Sequence, residues 1–144
     1  MDKVKFKYKN GNIEFNGLEN IENHKLEQIF KFLAAQFLSI IKYNLPNKSY
    51  EEIFKEIKKM IIPAYQKYLK GEIELFTYMP EIEYDIIIQD EEVIFKPLKE
   101  KTELLDYGII IEKLRNLYKE KFNKELDNNE LINISKDMLK IIEK

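Results

Sequence analysis

Residues 4–16 constrain this chain more than any other stretch. Val4, Phe6 and Tyr8 alternate with Lys3, Lys5, Lys7 and Lys9, and Asn10-Gly11 follows. Successive strand side chains point to opposite faces, and an Asn-Gly step supplies the positive φ that a type I′ turn needs twice. Folding back across that turn sets Tyr8 opposite Ile13, Phe6 opposite Phe15 and Lys7 opposite Glu14. One register gathers the apolar residues on one face and the charges on the other, and a slip of one residue would reverse every side chain. The segment predicts a β-hairpin, and a lone hairpin must bury its apolar face elsewhere.

The partner for that face is predicted downstream. Residues 22–44 read as a helix whose centre, Ile29 to Ile41, holds a single charge, Lys31. Apolar side chains on nearly every side make it the central core element. Leu45-Pro46 ends it. Ser49 and Glu52 form a capping box for a second helix, in which Pro63 should cause a kink or split and Gly71 closes the C-terminus. Period-two alternation returns over 72–78, 82–89 and 92–96, with turns at Pro80 and Asp90-Glu91. Two helices finish the chain, about 102–123 and from the Asp127/Glu130 capping box onward. The order ββ-αα-βββ-αα predicts an α+β fold, an N-terminal hairpin plus a three-stranded meander packed with four helices. A length of 144 residues fits a single compact domain over 1–144.

Residue usage removes most catalytic templates. There is no cysteine, one histidine and four glycines, so thiolate zinc sites, cysteine nucleophiles and glycine-rich nucleotide cradles are excluded. The expectation is a non-enzyme with no cofactor and no metal. No run of 18 apolar residues exists and the start lacks an apolar leader, which points to a cytoplasmic protein with no membrane partner. Of 24 basic residues only Arg115 is arginine. Together with abundant Ile and Asn, this marks a low-GC source such as a phage or mobile element. Readers of phosphates and bases rely on the arginine fork, so nucleic acid is not the expected partner.

One segment departs from this even texture. Glu72, Glu74, Glu81, Glu83, Asp85, Asp90, Glu91 and Glu92 fall in a stretch without a single basic residue. It carries a formal −8, which leaves +6 for the rest of a chain of net charge −2. Alternation sends Ile82, Tyr84, Ile86 and Ile88 to the core, and Glu81, Glu83, Asp85 and Ile87 outward. Pairing across Asp90-Glu91 sets Ile87 opposite Ile94 and Asp85 opposite Lys96. Carboxylates around an apolar pair have the make-up of a protein-binding patch. The bland alternative is a solvated sheet face answered by lysines elsewhere. An acid followed on the next strand by E-x-K, as a metal nuclease would need, fails because Ile94 precedes Lys96 by two.

The stripe Lys3, Lys5, Lys7 and Lys9 is the second candidate, as a track for a phosphate backbone. Its aromatic neighbours belong to the core side, however, and edge lysines also guard against aggregation. His24, with no second histidine, reads as a surface or capping residue. The expectation is therefore a small non-enzymatic inhibitor of the immunity, antitoxin or phage anti-defence (anti-CRISPR) kind. By analogy of size and charge, its acidic sheet face would occlude a basic, nucleic-acid-binding surface of a larger partner protein. The alternatives are a nucleic-acid-binding accessory protein using the lysine stripe, and a homo-oligomeric structural protein.

Overall fold

The computed structural model describes residues 2–9, 11–72, 80–90 and 92–142. Strand β1 (Asp2–Lys9) turns back into β2 (Asn12–Asn16) with Tyr8 paired to Ile13, Phe6 to Phe15 and Lys7 to Glu14, as the alternation requires. Gly11 in the turn has φ +84°, and a Cβ there would lie 1.7 Å from the Tyr65 hydroxyl, so both conformation and space demand glycine. Strands β3 (Glu81–Gln89) and β4 (Glu92–Lys101) form a second hairpin. The two hairpins join through β1 and β3 into one antiparallel sheet of order β2-β1-β3-β4.

The sheet buries one face. Val4, Phe6 and Tyr8 of β1 and Ile82, Tyr84, Ile86 and Ile88 of β3 are withdrawn from solvent. They meet α1 (Asn23–Asn44), the apolar helix, whose Phe37 stacks on Tyr84 with ring centroids 5.8 Å apart and 19° between planes. On its other side α1 packs against α4 (Leu104–Phe122) and α5 (Asn128–Ile142). Lys31, the lone charge in its centre, reaches Glu130 of α5 at 2.8 Å. That hydrogen bond holds the Lys31 ammonium above its usual pKa. Glu130 thus serves a tertiary contact as well as sitting in the first turn of α5, the position expected of a capping box.

Between α1 and β3 runs one helix in three segments. It comprises α2 (Tyr50–Glu56), a π-helical turn (Ile57–Ile61) and α3 (Ile62–Leu69). Ser49 and Glu52 form the expected capping box. The helix is split where Pro63 predicts, with the α-helical pattern interrupted immediately before it. In an α-helix its ring would meet the carbonyl of Lys59; here the π turn, closed by the Ile62 amide donating to the Ile57 carbonyl, precedes it and widens the backbone. The widened turn lies against Gly108 of α4, where a Cβ would come within 3.0 Å of Ile57 and 3.1 Å of Ile61. Gly71, at φ +77°, ends the helix with amide bonds from Gly71 to Tyr68 and from Glu72 to Lys67. This pair of bonds is the Schellman pattern.

Two strand expectations change. Glu72, at the start of the expected strand 72–78, lies in the bend that follows α3, and the remainder of that strand lies outside the described residues. The last strand runs past Pro97 to Lys101 through a bulge opposite Glu83 and Tyr84. Proline is compatible with β4 because β4 is a sheet edge. The α+β class, with one four-stranded antiparallel sheet and four helices, holds.

Candidate functional site

The outer face of the sheet brings both sequence candidates together. The lysine stripe of β1 and the acidic stripe of β3 are neighbours: Lys5 pairs with Asp85, Lys7 with Glu83, Lys9 with Glu81 and Lys3 with Ile87. On the other side β4 sets Lys96 against Asp85, Lys99 against Glu83 and Lys101 against Glu81. Glu81, Glu83 and Asp85 therefore form a central stripe between two rows of lysine in space.

The distances show how far this neutralisation goes. Lys3 Nζ lies 3.1 Å from Asp85 Oδ2, Lys7 Nζ 3.7 Å from Glu83 Oε1, and Lys99 Nζ 3.0 Å from Glu81 Oε2. The hydrogen bond from Lys99 holds the Glu81 carboxyl below the usual carboxylate range. Among the described residues Lys5, Lys9, Lys96 and Lys101 make no ion pair within 4 Å. The stripe of Glu81, Glu83 and Asp85 is not an isolated acidic patch.

Asp85 differs from its neighbours. At 7% exposure it is nearly buried beneath the flanking side chains, and its Oδ1 has no hydrogen-bond partner. Next to it on the same face, Ile87 faces Ile94, which is 41% exposed. Asp90, at φ +54° in the turn, and Glu92 are both exposed and make no ion pair among the described residues. Glu72 is exposed in the bend after α3, off the sheet. Glu74 and Glu91 lie outside the described residues. His24, exposed in the first turn of α1, has Nδ1 3.3 Å from Glu22.

Sequence reasoning missed Lys99 and Lys101 as members of this face. Their spacing was the available signal, since K-x-K resumes the strand alternation beyond Pro97. It also missed Asp106, which is fully buried on the opposite side of the sheet. Asp106 accepts hydrogen bonds from the Tyr8 hydroxyl at 3.1 Å, the Thr102 hydroxyl and the Glu103 amide at 3.1 Å. Burial, reinforced by the adjacent carboxylate, pushes the Tyr8 phenol well above its usual pKa. The bonds tie the N-terminus of α4 to β1.

A cleft of about 590 Å³ lies between α2, α4 and α5 and includes Arg115. Arg115 donates to Asn128 Oδ1 and sits 5.8 Å over the Phe54 ring, so it braces the start of α5. Among the described residues no three His, Asp or Glu side chains gather as a metal site would need, and no helix is long and apolar enough to cross a membrane. No protein-family model, curated protein or solved structure matches the chain.

Proposed function

We propose that this protein is a small non-enzymatic binding module, of the inhibitor kind, that engages a larger protein through the outer face of its sheet. The observation that carries the reading is the Ile87/Ile94 pair set among charges on the face that no described helix covers. An apolar anchor ringed by polar groups is how protein interfaces concentrate affinity. The lysine rows change the partner this face suits. Long-range attraction to a uniformly basic surface is weak where acids and lysines alternate every strand. The fitting partner carries an apolar side chain flanked by charges of both signs, with Asp90 and Glu92 adding an acidic rim at the turn.

A nucleic-acid reading draws on the same geometry, because lysines outnumber carboxylates on the described outer face. Against it, Phe6, Tyr8, Phe15, Tyr84 and Phe95 all belong to the inner side, so among the described residues the outer face of the sheet has no strand ring on which to stack bases.

The deciding experiment measures dissociation of a captured partner. Truncating Ile87 to Ala is expected to speed dissociation at least tenfold, about 1.4 kcal/mol or more, with little salt dependence. Reversing Glu81, Glu83 and Asp85 to Lys is expected to lower stability as well as binding, because each new lysine faces lysines on both sides. A partner held equally by wild type and Ile87→Ala would refute the outer face as the binding surface.

A further inference from the structure

The outer edge of β4, which no strand among the described residues covers, is chemically self-complementary over Glu92–Lys96. In the β3–β4 hairpin, Gln89 and Glu92 bracket the turn and Ile87 pairs with Ile94. In a two-residue hairpin the bracketing pair exchanges both backbone hydrogen bonds, and bonded pairs then alternate along the ladder. Glu92, Ile94 and Lys96 therefore direct their backbone groups toward β3. Val93, Phe95 and Pro97 direct theirs outward from the sheet. Pro97, with no N–H to give, falls in the outward set, where its missing donor costs the sheet nothing.

The geometry points to a second copy of this chain as the occupant of that edge, paired antiparallel about a two-fold axis at Ile94. In this register the outward amides of Val93 and Phe95 donate to the carbonyls of Phe95 and Val93 of the second copy, making four backbone hydrogen bonds over the two-fold. Ile94 meets Ile94 of the second copy on the outer face. Val93 meets Phe95 of the second copy on the inner face. Glu92 stands opposite Lys96 of the second copy, once on each side of the axis. Within one chain neither Glu92 nor Lys96 makes an ion pair among the described residues, and Ile94 is 41% exposed.

The boundaries agree with this register. The hairpin turn closes the stretch on one side of Ile94. On the other, Pro97, the bulge and Lys99 carry the features by which sheets guard their edges. The stretch left unguarded is the one whose two halves are complementary in charge about its centre, Glu92 on one side of Ile94 and Lys96 on the other. This pairing shares Ile94 with the partner-binding reading, but the two fail separately: Val93→Pro acts on the backbone of the strand edge and Ile87→Ala on the outer face.

Sedimentation velocity on the intact chain tests it, from about 1 to about 200 µM, the range suited to so short an interface. The expected result is concentration-dependent growth from 17.4 kDa toward twice that mass. Val93→Pro removes an outward donor without touching the β3 ladder and should weaken association at least tenfold with an unchanged circular dichroism spectrum. Glu92→Lys and Lys96→Glu should each associate poorly alone, through like charges facing across the axis. Mixed in equal amounts they should recover wild-type association, because both cross-axis pairs become attractive. A wild type that stays monomeric throughout, or a mixture that associates no better than its components, overturns the proposal.

Discussion

Two aspartates are withdrawn from solvent on opposite sides of one sheet, and the regions around them are built on different principles. Asp106, behind the inner face, has three donors, and each comes from a different residue in or near β1 and the N-terminus of α4. Asp85, on the outer face, has one ion pair to a lysine that is 62% exposed, and an oxygen with no hydrogen-bond partner among the described residues. The inner region fixes a joint between strand and helix. The outer region is a shallow layer of long side chains joined by ion pairs to partly exposed lysines. Burial alone does not separate structural from available carboxylates; the supply of hydrogen-bond donors does.

Breaking the inner joint should have the largest effect. Asp106→Ala strands the buried Tyr8 hydroxyl and removes the N-terminal cap of α4, and the expected loss is about 3–4 kcal/mol in urea unfolding. A loss below about 1 kcal/mol would place the two aspartates in one class and remove the contrast.

Tyr8→Phe is a gentler cut. It leaves Asp106 its two other donors and should cost about 1–2 kcal/mol at pH 7, in the range of a hydrogen bond to a carboxylate. It should also sharpen a pH dependence. Burial raises the phenol pKa of Tyr8 and, with a bond to Glu100, that of Tyr84, while an unfolded tyrosine ionises near pH 10. Above about pH 10 the unfolded chain binds fewer protons than the folded one, so stability falls as pH rises, and it is fully present below that. The urea midpoint should drop between pH 9 and about 11.5, with a shallower slope in Tyr8→Phe. An identical slope would mean that Tyr8 ionises in the folded protein as easily as in the unfolded chain.

Asp85→Asn should have the smallest effect, about 1 kcal/mol or less, since it gives up a single ion pair to the largely exposed Lys3 and replaces a carboxylate of which one oxygen has no hydrogen bond among the described residues. Its difference from wild type should vanish as salt is raised. A loss comparable to that of Asp106→Ala would make Asp85 part of the frame.

The local elements were legible in the sequence because their signals are local. Alternation plus Asn10-Gly11 yields the β1–β2 register to the residue, and the same logic pairs Ile87 with Ile94 and Asp85 with Lys96. What was not legible is the β1–β3 pairing, which joins residues some 80 positions apart and leaves no mark in either strand. Without that pairing, the acids of β3 look like a patch and the lysines of β1 look like a separate stripe. Pro97 concealed the rest. It reads as a strand end, and only the position of β4 at the sheet edge allows the strand to continue through it to Lys99 and Lys101.

The π turn has a consequence for descent as well as for packing. Such a turn holds one residue more than the α turn it replaces, so the helix from Tyr50 to Leu69 contains what amounts to an insertion. Pro63 and Gly108 accommodate that spare residue from two sides, one by tolerating the open ladder and the other by making room for Ile57 and Ile61. A sister lineage without the spare residue would be free to carry a non-proline at the first position and an alanine at the second. Set beside this chain, its sequence would show a single-residue gap between 57 and 61, coupled to substitutions at two positions far apart in sequence.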